Sequence, residues 1–167
     1  SFAAYENALE AGGIPFLTVA GRGFYDRPEV RDVLNALQAV ADPTDDLALT
    51  GLLRSSAFGL SDMALYRLRQ AQQATDAPSL WTVLDSHGAA HSPNLAFLEE
   101  EAELAAQARS EIQGLHQMVG RAAVADVLKS FLDTTAYRAA LLRAGQSRAV
   151  NNVDKLLADA HASEIVG

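Results

Sequence analysis

The sequence predicts a mainly α-helical protein: a helical, bundle-like fragment with one short β element. Three observations lead there. Apolar residues recur three and four positions apart along most of the chain, the spacing that lines one face of a helix. Asp, Ser or Thr stands just ahead of many of these runs, where a helix start needs a side-chain acceptor. Only Ile14-Pro15-Phe16-Leu17-Thr18-Val19 has the continuous, partly β-branched character of a strand.

The elements follow in order. Ala3 to Ala11 reads as a short helix with Tyr5 and Leu9 on one face, ended by Gly12 and Gly13. The strand Ile14–Val19 has Pro15 at its first end, where a missing N–H is tolerated. In GRGFYDRPEVRD, Gly21 and Gly23 permit a tight turn. Asp26 is the expected N-cap of the next helix, with Glu29 completing a capping box and Pro28 in the first turn. Val30, Val33, Leu34, Leu37 and Val40 form its apolar stripe. ADPTDD ends that helix and starts another, with Asp45 and Asp46 at the positive end of its dipole and Leu49, Leu52 and Leu53 facing inward. After the turn RSSAFGLSD, Ser61 caps a helix carrying Leu65 and Leu68.

Polar and turn residues cluster at Gln72 to Ser79, a candidate boundary. Ser79 then opens a short helix with Leu80, Trp81 and Leu84, and SHGAAHSP is a loop. Ser92 with Pro93 is expected to start a long acidic helix reaching about Met118. Val124, Val127, Leu128, Phe131 and Leu132 make the cleanest amphipathic pattern in the chain. Thr134 or Thr135 is the expected cap of the next helix, with Tyr137 and Leu141 inside. Ser147 caps the last, with Val150, Val153, Leu156 and Leu157 inside.

Composition limits the function. About half of the 167 residues are apolar (49%), enough for a real core. The absence of cysteine excludes a disulfide framework and cysteine-based zinc sites, and fits a reducing, cytoplasmic setting. No apolar run approaches the roughly 20 residues that cross a bilayer, so no membrane partner is expected. The start lacks the basic end and apolar centre of a signal peptide. It also lacks an initiator Met, and the end carries no turn signal, which implies a piece of a longer protein. The net charge of −8 opposes an electrostatic grip on nucleic acid by the chain as a whole, although contacts depend on local patches.

No self-contained active site emerges. Gly21 and Gly23 give a G-x-G, but Asp26 stands where a dinucleotide fingerprint has its third glycine, and no Gly-Lys-Ser/Thr follows. An acid at a helix N-terminus also repels phosphate there. His87 and His91 are four apart in a loop with no acid to complete a ligand set. His116 and His161 stand alone on predicted helices. The acidic run Glu99 to Glu103 reads as a solvated helix face. Thus no catalytic, nucleotide-binding or metal residue is assigned.

From Ile14 to Arg67 the sequence resembles the segment following motif IV in UvrD/PcrA/Rep-type superfamily 1 DNA helicases. The matching positions are Ile14-Pro15, Phe24-Tyr25, Arg27, Glu29-Val30-Arg31-Asp32, Pro43, Asp45-Asp46 and Gly59-Leu60. GRAAVADVLKSFLDTTAYRAAL and RAVNNVDKLLADA resemble the helical segment ahead of motif V in the helicase–nuclease branch (AddA and RecB). The resemblance implies that residues 1–72 are part of the second RecA-like domain, with the strand and capped helix as a βα unit distal from the phosphate loop. Residues 73–167 would be the helical insertion called 2B.

The parent would then use ATP and Mg to unwind duplex DNA in repair and recombination, while this fragment, which lacks the Walker loop, is catalytically inert and acts mechanically. Implied partners are DNA, the remaining helicase domains of the same chain and protein regulators. The DNA-facing residues implied are Arg22 beside the glycines, then Arg54, Ser55, Ser56, Gly59, Leu60 and Ser61 around the turn that matches the family's Gly-Ile-Gly. Ala57 and Phe58 replace the Pro and Arg usual there, and Ser61 replaces the second glycine. A helical protein-interaction scaffold without a DNA role is the alternative reading.

Overall fold

The computed structural model describes residues 22–85 and 95–166. The expected first helix, the strand Ile14–Val19, Gly21 and the loop histidines His87 and His91 lie outside the described residues. Those described are mainly helical. The helices are α1 (Arg22–Tyr25), α2 (Pro28–Ala41), α3 (Asp46–Arg54), α4 (Asp62–Thr75) and α5 (Leu80–Leu84). A 3-10 segment (Ala96–Glu101) then leads into α6 (Ala102–Met118), α7 (Val124–Thr134), α8 (Tyr137–Arg143) and α9 (Ser147–Val166).

Several helix starts lie where side-chain chemistry puts them. Asp45 accepts the Ala48 amide at 3.1 Å, Ser61 the Ala64 amide at 3.1 Å and Ser79 the Thr82 amide at 3.1 Å. Each supplies an acceptor to a first-turn N–H that has none inside the helix. Other starts differ from expectation. Gly23 and the aromatic pair Phe24-Tyr25 sit in one helical turn instead of a loop. Asp26 is not the cap of α2; Arg27 is, with extended backbone (φ −63°, ψ 132°) and no side-chain bond. The residue before a proline is driven into the extended region, so Pro28 at N1 fixes the boundary one residue later. Glu29 therefore closes no capping box. It accepts Asn152 Nδ2 at 2.7 Å, and its carbonyl accepts the Tyr137 hydroxyl at 3.1 Å.

Two further starts are displaced. The long acidic helix begins at Ala102, because Glu99 takes a positive-φ conformation (φ 56°) that kinks the chain inside the 3-10 segment just ahead of α6. Ser92 and Pro93, the expected start, lie outside the described residues. The cap of α8 is Ala136, not Thr134 or Thr135. Both threonine hydroxyls donate backward at 2.7 Å, to the carbonyls of Ser130 and Phe131, the local competition that threonine offers to capping.

α2 lies at the centre, packed against α1, α3, α6, α7 and α9. Its stripe Val30, Val33, Leu37 and Val40 is buried, as are Leu49, Leu52 and Leu53 of α3. α7 contributes Val127, Leu128, Phe131 and Leu132, and α9 contributes Val153 and Leu156. Phe131 meets Tyr137 with ring centroids 5.8 Å apart. Fully burying such a side chain contributes roughly 1.5–3 kcal/mol. One cluster of buried apolar residues runs from Val30 to Ala160, continuous across the Gln72–Ser79 turn. Asp46 ties the two sides of that turn to α3, accepting Gln72 Nε2 at 3.3 Å and the Leu80 amide at 2.8 Å. His116 is a satisfied packing residue: its Nδ1 donates to the Val40 carbonyl at 2.7 Å.

Candidate nucleic-acid interface

The turn between α3 and α4 brings six of the seven sequence-selected residues into one continuous stretch. Arg22 is separate, at the start of α1, and its side chain lies outside the described part of the structure. α3 ends at Arg54, and Ser55 closes it by donating Oγ to the Leu52 carbonyl at 2.7 Å. The amides of Phe58 and Gly59 then return to the Ser55 carbonyl at 3.1 and 2.7 Å, and the Leu60 amide to the Leu53 carbonyl at 2.9 Å. Gly59 sits at φ +68°, a conformation that strains any residue with a Cβ. Ala57, Phe58 and Leu60 are buried beneath the turn, so Phe58 is an apolar anchor for it. Ser56, Gly59, Ser61 and Arg54 face solvent.

The outer face of the turn has hydrogen-bond donors and, beside them, carboxylates. The amides of Asp62 and Met63 head α4 and have no acceptor among the described residues, as expected of a helix start. Arg54 Nε lies 3.2 Å from Asp62 Oδ1, an exposed pair that contributes little to stability. Leu60 offers no polar group. Ser61 is engaged twice: its amide donates to Glu101 Oε1 at 2.8 Å and its hydroxyl donates to Glu101 Oε2. These two bonds, the hydroxyl's first, hold the Glu101 carboxyl below the usual carboxylate range. Arg67 Nη1 lies 3.4 Å from Glu99 Oε2.

Thus Glu99 and Glu101 are not part of one solvated helix face. The 3-10 segment presents both against the start of α4. Sequence reasoning alone misses Glu101, Glu99, Asp62 and Arg67 as neighbours of the turn. For Glu101 no local signal exists, because 40 residues separate it from Ser61. Asp62 stands in the open, eight residues after Arg54, in the first turn of a helix whose cap the sequence identifies.

Comparison with known proteins gives this turn its context. The model of the UvrD-like helicase C-terminal domain matches residues 3–155. The chain belongs to the UvrD-like helicase C-terminal domain family. It is 26% identical over 160 residues to the ATP-dependent DNA helicase PcrA of Bacillus subtilis (strain 168), covering 91% of this chain and 20% of PcrA. It is 27% identical over 114 residues to DNA helicase II of Salmonella typhimurium, covering 68% of this chain and 14% of that protein. It is 36% identical over 63 residues to an ATP-dependent helicase/nuclease protein of Lysinibacillus sphaericus, covering 38% of this chain and 5% of that protein. The chain therefore spans about a fifth of the length of PcrA.

Gly23 lies within the helical turn α1, with Asp26 just beyond it. Among the described residues, no three His, Cys, Asp or Glu side chains converge as metal ligands, and no helix is long and apolar enough to cross a membrane.

Proposed function

We propose that this chain is the helical part of an ATP-dependent DNA helicase or helicase–nuclease that separates duplex DNA in repair and recombination. The family match over residues 3–155 is the observation that carries this reading. In it, residues 1–72 belong to the second RecA-like domain and residues 73–167 to the helical insertion. ATP and Mg are held by the remaining helicase domains, and this part is catalytically inert. Its contribution is mechanical: it moves against the motor, meets DNA and offers helical faces to protein regulators, in the cytoplasm.

The turn Arg54–Ser61, with Arg22 at the start of α1, is the proposed contact with the DNA backbone. A phosphate there would take the free amides of Asp62 and Met63 and draw Arg54 from Asp62. The acids around the turn and the net charge of −8 make binding by this chain weak. A salt titration on single-stranded DNA tests the assignment. Weak binding that fades with salt is expected, with Arg54→Ala lowering the slope of log K against log salt by about 1 unit. Salt-independent binding, or tight binding unchanged by Arg54→Ala, would place the DNA surface elsewhere.

A further inference from the structure

Between Asp133 and Asp154 the chain has no acidic residue, yet Arg138, Arg143 and Arg148 recur at intervals of five. Three arginines and no acid give this stretch +3, in a chain whose net charge is −8. The fold turns the stretch into a helix–turn–helix. α8 closes with the Gly145 amide on the Leu142 carbonyl at 3.0 Å and the Gln146 amide on the Leu141 carbonyl at 2.9 Å. This is the paired closure of a Schellman end, and it requires the left-handed backbone that Gly145 adopts at φ +72°. Ser147 then opens α9.

The rear of the motif is fixed by buried Tyr137, Leu141, Ala149, Val153 and Leu156. Its front is bare: every residue from Leu142 to Arg148 is exposed, and so is Asn151. Arg138 is committed to structure, bonded to Asp133 at 3.0 Å and to Asp154 at 2.8 Å. Arg143 and Arg148 make no ion pair among the described residues. Arg148 lies in the first turn of α9, where a cation meets the positive end of the helix dipole and no acid offsets it. At Arg148 this costs helix stability and gains no ion pair among the described residues, as expected of a surface kept for an external anion.

We propose that this face, through Arg143, Gln146, Ser147, Arg148 and Asn151, is a second contact for the phosphodiester backbone of DNA. It is separate from the Arg54–Ser61 turn, and it rests on the DNA reading above for the identity of the polyanion. Arginine guanidinium groups with neighbouring Ser, Asn and Gln side chains are the usual positioning contacts to phosphate.

The test is a salt titration of the 167-residue chain on a labelled duplex by fluorescence anisotropy, with four variants. Arg143→Gln/Arg148→Gln is expected to lower the slope of log K against log salt by about 2 units, one per lost phosphate contact. Arg143→Lys/Arg148→Lys keeps both charges and should keep the slope, which guards against a folding artefact. Arg121→Gln, an exposed arginine outside the motif, should leave it near the parent value. If the double Gln variant keeps the full slope while Arg54→Ala lowers it, this proposal fails and the turn reading stands. The reverse pattern supports this face and removes the turn. No measurable binding, or no effect of either change, overturns both. Displacement of DNA by polyglutamate at equal charge would overturn the phosphate assignment in favour of an acidic protein segment.

Discussion

Glu101 occupies the donors of Ser61 that a phosphate oxygen would use. Its carboxylate accepts both the amide and the hydroxyl of Ser61, and these bonds lower its pKa. Because the folded-state pKa is depressed, the contribution of this contact to stability is present above the unfolded value. It is lost as pH falls through the lower folded value. The group is exposed, so the effect on global stability is small; the titration itself is the better readout. Carbon-detected NMR should show Glu101 titrating below an ordinary glutamate, and Ser61→Ala should move it back up. An unshifted Glu101 in the parent chain would mean that this contact does not form in solution. At this scale the sequence is legible where cause and effect are neighbours in the chain. Asp45, Ser61 and Ser79 bond amides three residues away; the sequence marks Ser61 and Ser79 as helix starts and places Asp45 at the positive end of its helix. The Glu101–Ser61 and Tyr137–Glu29 contacts depend on packing across 40 and 108 residues, and no spacing rule reaches them. Burial of the Tyr137 phenol beside Asp32 raises its pKa above the usual tyrosine range.

The amphipathic stripes carry most of the information about the elements. In α7, Val127, Leu128, Phe131 and Leu132 are all at most 3% exposed, as their spacing predicts, whereas Val124 is only half-buried. Leu128 is wholly enclosed. Leu128→Ala should therefore destabilise by roughly 2–5 kcal/mol in urea melts, with the spread set by how far α2, α6 and α9 can close the cavity. A loss well under 1 kcal/mol would place α7 with another face inward. Helix starts are less legible than stripes. α2, α7 and α8 begin after Arg27, Ala123 and Ala136, with no side-chain cap. Neither the proline effect at Arg27 nor the positive-φ kink at Glu99 interrupts the hydrophobic pattern, so a stripe alone carries through both.

For the molecule as a whole, α2 organises one apolar cluster from Val30 to Ala160. The Arg54–Ser61 turn and the α8–α9 turn are both exposed helix junctions braced by that cluster. The mainly α class is legible because helical periodicity dominates the chain. The candidate interface is legible only as a loop with a family resemblance, because its acids arrive from a distant segment. The central claim is that these two junctions meet DNA. Amide hydrogen exchange of the chain at low salt, with and without excess tailed duplex, measures this directly. Slower exchange is predicted at Ser56–Ala64 and at Arg143–Asn151, with the buried centres of α2 and α7 unchanged. Protection confined to other surfaces, or no protection by DNA at concentrations that saturate anisotropy, would contradict the claim.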